Sequence, residues 1–179
     1  MDLGMAASED LEHRQWLHNA LDRYERELVP YAQLITGNLE SAREVVQETF
    51  LRLCGQNRAE VDGRLRQWLF RVCRNAALDT RRRDVREVRL RHRVESSGPR
   101  DPPPDETAER RDTAGRVLRF LAELPDNQQE VLRLKLLHGL KSPEICEITG
   151  LSPSNVRFLA YVGLKRLRER MGLCAGAED

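Results

Sequence analysis

Long apolar runs are missing from this chain of 179 residues. No stretch approaches the roughly 18 consecutive apolar residues that a membrane-spanning helix needs, which argues against membrane insertion. The opening MDLGMAASEDLEHRQ lacks the basic start and apolar run of a secretion signal, so the cytoplasm is the expected location. Net charge is missing too. Lys and Arg number 30 against 29 Asp and Glu, a formal +1, so a polyanionic partner has to be met by local clusters. Cys54, Cys73, Cys146 and Cys174 lie 19, 73 and 28 positions apart, form no C-x-x-C pair, and are accompanied by four equally scattered histidines. Buried free thiols are expected from this spacing, rather than disulfides or a metal site. No Gly-rich phosphate loop and no nucleophile paired with a base is present, which argues against an enzyme and against any cofactor. Aromatic residues make up 5% of the chain, and the apolar-polar alternation of strands is absent throughout.

What remains is helical periodicity. Residues 9 to 94 carry leucines and valines at three- and four-residue spacing with one proline, Pro30. Three helices are predicted there: Glu9 to Ile35, bent or interrupted near Pro30; Leu39 to Cys54; and Gly63 to Arg83 or beyond. ESSGPRDPPPDE, residues 95 to 106, then holds four prolines, a glycine and two serines with no apolar residue, and reads as a linker. Periodicity resumes in RDTAGRVLRFLAELP (111–125), stopped by Pro125, and in DNQQEVLRLKLLHG (126–139), opened by an Asp cap and closed by Gly139. The predicted fold is all-α: two small helical domains, 9–94 and 111–173, joined by a flexible Pro-rich linker over 95–110.

Two helices stand out. In KSPEICEITGLSPSNVRFLAYVGLKRLRERMG, Ser142 is a candidate cap for a short helix from Pro143 to Thr149, and Gly150 permits the left-handed turn that ends it. Ser152 and Pro153 then start a longer helix to about Arg170. Short helix, tight turn and long helix make a helix-turn-helix, which braces the second helix for entry into a DNA major groove. At about 100° per residue, Val156, Ala160, Leu164 and Leu167 face the core, and Ser154, Arg157, Phe158, Tyr161, Lys165 and Arg168 face away. The helix over residues 64–83 holds seven Arg and one Asp, a local +6 in a neutral protein. Trp68, Leu69, Val72, Cys73 and Ala76 share one arc of it; Arg71, Arg74, Arg81 and Arg82 share the opposite one, with Asn75 at the border. Such a surface repels itself unless an anion comes close, and nucleic acid is the natural guest.

VVQETFLRLC (45–54) followed by RLRQWLFRVCRNAALDTRRR (64–83) resembles region 2 of bacterial extracytoplasmic-function (ECF, group IV) sigma factors. LAELPDNQQEVLRLKLLHGLKSPEICEITGLSPSNVRFLAYVGLKRLRE (121–169) is similar to their region 4. The resemblance implies a subunit that binds core RNA polymerase, directs it to promoter DNA and helps open the duplex; it leaves room for an anti-sigma factor as a further partner. It carries the polymerase-binding surface onto Gln47, Glu48, Phe50, Leu51 and Arg52. Just upstream, where family members often carry an acidic run, this chain has Ser41, Ala42, Arg43 and Glu44. For the minus-10 element, the family's pocket for a flipped-out base falls on the loop from about Gln56 to Arg64 and on Asn75, with Arg64, Arg71, Arg74, Arg81 and Arg82 available for phosphates. The minus-35 reader falls on Ser154, Arg157, Phe158, Tyr161, Lys165 and Arg168. Phe158, Leu159 and Val162 stand where relatives commonly place small polar and basic residues.

Residues 95–112 would span about 23 Å as a relaxed coil and about 60 Å drawn out, against promoter elements near 50 Å apart. Both elements are therefore within reach only of an extended tether. The alternative reading, a helix-turn-helix regulator acting without polymerase, explains residues 111–171 but leaves VVQETFLR and the first basic helix without employment.

Overall fold

The computed structural model describes residues 3–92 and 113–172, which fall into two compact units divided between residues 97 and 98. The first holds α1 (Leu3–Thr36), α2 (Leu39–Cys54), α3 (Arg58–Val61), a 3-10 turn (Asp62–Arg64) and α4 (Leu65–His92). The second holds α5 (Thr113–Ala122), α6 (Asp126–Leu136), α7 (Ser142–Thr149) and α8 (Pro153–Arg170). No strand occurs among the described residues. The expected linker, 95–110, lies outside them.

In the first unit α1, α2 and α4 pack on one another. From α1 comes a stripe of Trp16, Ala20, Tyr24, Leu28, Tyr31 and Ile35; from α2, Ala42, Val45, Val46 and Leu53; from α4, Leu69, Phe70, Cys73 and Ala77. The Tyr31 and Phe70 rings meet at 5.1 Å, tilted by 58°. Large side chains buried this way contribute roughly 1.5–3 kcal/mol each. That is enough to carry α1 without interruption past Pro30, where a bend or an interruption was expected. The proline removes one hydrogen bond and costs about 3 kcal/mol, but it sits exposed while Leu28, Tyr31 and Ala32 beside it are buried. Packing on both sides of the proline outweighs its local cost. The ends of α2 follow sequence closely: the Asn38 side chain accepts from the Ser41 N–H at 2.8 Å, and the Gly55 N–H bonds back to Arg52 and Leu53.

In the second unit α6 and α8 form the main contact. Gly163 makes it possible: a Cβ there would lie 2.8 Å from Leu132 Cδ1, a fully buried side chain. Two expected caps are corrected. Pro125, not Asp126, precedes α6, and its carbonyl receives the Gln128 and Gln129 N–H groups; Asp126 is the first helical residue. Ser142 likewise lies inside α7, whose start is closed by Glu144 accepting from the Lys141 N–H at 2.6 Å. In both cases a residue at the first turn was mistaken for the residue before it.

Of the described cysteines Cys73 is buried, Cys146 half-buried and Cys54 exposed, so the expectation of buried thiols holds for Cys73 and fails for Cys54. Burial pushes the Cys73 thiol up to about 12 from its ordinary 9.0, against a smaller opposing effect of its hydrogen bond with Thr49. The unfolded chain therefore releases this proton at a lower pH than the folded one, and stability falls as pH rises from 9.0 towards 12. Urea denaturation across that range should show a steeper loss for the wild type than for Cys73→Ala; parallel curves would contradict the assignment.

Candidate nucleic-acid interface

The basic face of α4 exists because its other face is fixed. Leu69, Phe70, Cys73 and Ala77 have no exposure, so the helix cannot roll, and Arg71, Arg81 and Arg82 are held in solvent. Asn75 is also exposed; Arg74 is half-buried and engaged within the protein. Arg82 stands 3.3 Å from Asp79 one turn back, an exposed pair that a phosphate can replace at little cost. Trp68, on the apolar arc, is half-buried. Not every arginine here is available. Arg66 donates to Glu27 on α1 at 2.6 Å, its guanidinium lies 5.8 Å from the Phe70 ring centre, and its buried Nε has no partner. It is part of the packing between α1 and α4.

The segment before α4 is compact: Asn57 caps α3 through the Ala59 N–H, and Val61 and Leu65 are buried. Arg64 ends the 3-10 turn, exposed but engaged in an intramolecular interaction.

Between α1 and α2 lies a groove of about 430 Å³, lined by Leu21, Glu25 and Val29 of α1 and by Arg43, Val46, Gln47, Phe50, Leu51 and Cys54 of α2. Gln47, Glu48 and Arg52 are exposed, Phe50 is half-buried, and Leu51 is 65% exposed, high for a leucine in a packed unit. Glu48 and Arg52 pair with each other at 2.6 Å across one helical turn. Such a pair is worth little in water, so both charges remain open to a protein partner. Upstream, Ala42 is part of the core, while Arg43 and Glu44 are exposed.

The second unit carries the helix-turn-helix in α7 and α8. Gly150 adopts φ +73°, its N–H bonding to Cys146 at 2.8 Å; Thr149 Oγ1 accepts from the Leu151 N–H at 3.3 Å and Ser152 Oγ from the Asn155 N–H at 3.3 Å. Val156, Ala160 and Leu167 are buried as expected and Leu164 is half-buried, but Leu159 and Gly163 are buried too. Leu159, 5% exposed, is therefore a core residue, and its apolar character says nothing about the DNA-facing surface. Val162 is half-buried. Ser154, Arg157, Phe158, Tyr161, Lys165 and Arg168 all lie on the exposed side, with Phe158 62% and Tyr161 68% exposed. Arg157 Nε donates to the Pro153 carbonyl at 3.2 Å, which folds its guanidinium towards the start of the helix. Asn155, exposed at that same end, was not among the residues expected to face DNA; its place in the first turn of the second helix of a helix-turn-helix is the signal that was available.

The first unit thus carries a helix with a basic exposed face and the second a helix-turn-helix. The Sigma-70 region 2 family model matches residues 20–87, and the Sigma-70 region 4 model matches residues 114–167. Among individual proteins, the ECF RNA polymerase sigma factor SigL of Mycobacterium tuberculosis is 30% identical over 155 residues, covering 82% of this chain and 84% of SigL. SigM of Bacillus subtilis, also an ECF sigma factor, is 26% identical over 148 residues, covering 81% of this chain and 88% of SigM. A co-crystal structure of the sigma factor RpoE with the anti-sigma factor NepR from Bartonella quintana superposes with a TM-score of 0.63 at 20% identity. The superposition covers 92% of this chain and 99% of that one, a likeness of fold. Two helical units matched in this order define the promoter-specificity subunit of a bacterial RNA polymerase. This chain belongs to the extracytoplasmic-function sigma factors. It directs promoter-specific transcription and, like its family, carries no catalytic chemistry of its own. Among the described residues no helix is long and apolar enough to cross a membrane.

Arg66 and Arg71 should separate packing from DNA binding. Arg66→Ala is expected to lower the unfolding free energy of the first unit by about 1–3 kcal/mol. Arg71→Ala should change it by less than about 0.5 kcal/mol while reducing the slope of log affinity against log salt by about 0.7–0.9. Urea denaturation and salt-titrated anisotropy of polymerase-bound protein on a promoter fragment measure both. The reverse pattern would contradict the division.

Proposed function

We propose that three surfaces divide the work of initiation. The first unit, 9–94, seats on core RNA polymerase through the apolar groove along α2, with Phe50 and Leu51 supplying contact area and Gln47, Glu48 and Arg52 polar complement. The same unit engages the minus-10 element: the loop of residues 56–64 and Asn75 take an extruded base of the non-template strand, and Arg64, Arg71, Arg74, Arg81 and Arg82 neutralise its phosphates. Extrusion costs a few kcal/mol of stacking, which contacts of this kind offset. The second unit, 111–173, reads the minus-35 element with α8. The observation that supports the reading is the combination of exposed basic residues on α4 and α8 with a mainly apolar groove along α2 that binding to DNA alone leaves unused.

On α8, Arg157 is suited to a guanine edge, and Phe158 and Tyr161, one turn apart, to thymine methyl groups. Ser154, Lys165 and Arg168 follow the backbone. The protein acts in the cytoplasm, where polymerase and chromosome meet. An anti-sigma factor, as NepR is for RpoE, is a further proposed partner; the exposed Leu51 and its groove supply a surface that such a protein would compete for.

Run-off transcription on a genomic promoter library, with core polymerase plus the full chain, should yield starts that core polymerase alone does not make, sharing two sequence blocks. Replacing thymine by deoxyuridine in the upstream block should weaken promoter binding by holoenzyme carrying wild-type protein, and have little further effect with Phe158→Ala and Tyr161→Ala together. Equal sensitivity of both proteins to the missing methyl groups would remove the aromatic residues from base reading.

A further inference from the structure

Residues 3–19 of α1 precede the segment matched by the region 2 model, which begins at residue 20, yet the helix is packed at Trp16. Trp16 is 8% exposed, with the His13 ring 5.5 Å away on the preceding turn. Its indole N–H donates to the Asp62 carboxylate at 2.9 Å, a partly buried bond joining residues 46 positions apart. Asp62 opens the 3-10 turn that leads into α4, and its other carboxylate oxygen stands 3.9 Å from Arg58 Nε. The loop it belongs to has little regular structure of its own: α3 is four residues long and the turn three. Pieces this short do not hold themselves together, because a single helical turn fixes several torsions for one hydrogen bond. Asn57–Ala59 and Arg58–Asp62 are local ties within the loop and move with it. Buried Val61 anchors the loop in the core without fixing the turn after it, and the Trp16 bond ties that turn, through Asp62, to a long helix whose position is set by the core.

We propose that Trp16 is a positioning residue for base selection at the minus-10 element. It acts through Asp62, holding the loop in the register that shapes the pocket for the extruded base. This rests on the reading above that the loop and Asn75 form that pocket. A binding constellation must be held to about 0.5 Å, and a hydrogen bond to a charged acceptor from a buried, rigid indole is a strong way to do so. The loop's own sequence therefore does not determine selectivity alone; α1 contributes to it from outside the contact surface.

The test uses holoenzyme reconstituted from core polymerase and full-length protein. The probes are fork-junction DNAs bearing the downstream block selected by run-off transcription, unpaired there, with each of the four bases in turn at the extruded position. The readout is the ratio of affinities for the preferred and the other bases. Trp16→Phe keeps an aromatic ring and removes the donor; Asp62→Ala removes the acceptor from an exposed residue and leaves the core alone. Each is expected to reduce the ratio by roughly fivefold or more, with the double variant no worse than either single one. Asp62→Asn, which still offers a carbonyl oxygen to the indole, should retain most of the ratio. A purely structural role would weaken all four probes alike and leave the ratio intact, which would overturn the proposal. If Trp16→Phe and Asp62→Ala keep the ratio while Asn75→Ala lowers it, the pocket stands and the positioning role falls. If Asn75→Ala also keeps it, the pocket reading itself falls.

Discussion

The burial of one side of the first half of α4, residues 65 to 77, is the constraint on which the rest depends. Leu69, Phe70, Cys73 and Ala77 are locked against α1 and α2, and a helix locked on one side has no rotation left with which to hide the other. A run of arginines that would otherwise spread through solvent is thereby presented as one fixed surface. Charge concentrated in this way is unfavourable in isolation and favourable beside a polyanion. The near-zero net charge of the chain serves the same end, because it leaves binding to depend on where the cations are rather than on how many there are.

The second unit solves a similar problem with different means. Its helix α8 has a buried face too, Val156, Leu159, Ala160 and Leu167, to which close approach is added: Gly163 brings α8 onto Leu132 of α6, and Arg166 donates to Gln128 across the same junction at 3.0 Å. Arg170 pairs with Glu123 at 2.7 Å near the far end. Along the N-terminal half of α8, Val156, Leu159 and Ala160 are buried while Asn155, Arg157, Phe158 and Tyr161 on the other face are exposed. The division between support and exposed surface is therefore by face of the helix.

Most of this was legible in the sequence, and the misses have physical causes. Asn38 and Gly55 bounding α2, and Gly150, Ser152 and Pro153 bounding the turn, are local chemistry, and local chemistry is what sequence states directly. Pro30 misled because its cost is local while the packing that overrides it comes from α2 and α4, elsewhere in the chain. Ser142 and Asp126 were plausible caps displaced by one position. Arg66 is identical in type to Arg71, and only its pairing with Glu27, 39 residues away, sets it apart. Leu159 was grouped with Phe158 and Val162 through the resemblance to relatives, and only its burial in the fold separates it from them. Trp16, Ala20, Tyr24 and Leu28 were not singled out within the first expected helix, and nothing local to Trp16 says that its indole meets Asp62, 46 residues away.

The central claim is that α4 offers its outward face to the single-stranded minus-10 DNA of an open promoter, and a photocrosslinking residue placed at position 71 addresses it most directly. In holoenzyme on a promoter selected by transcription, crosslinks should map to the non-template strand within the downstream block and disappear when the initiation complex is dissociated by salt. Crosslinks confined to polymerase subunits, or to duplex DNA outside that block, would contradict the account.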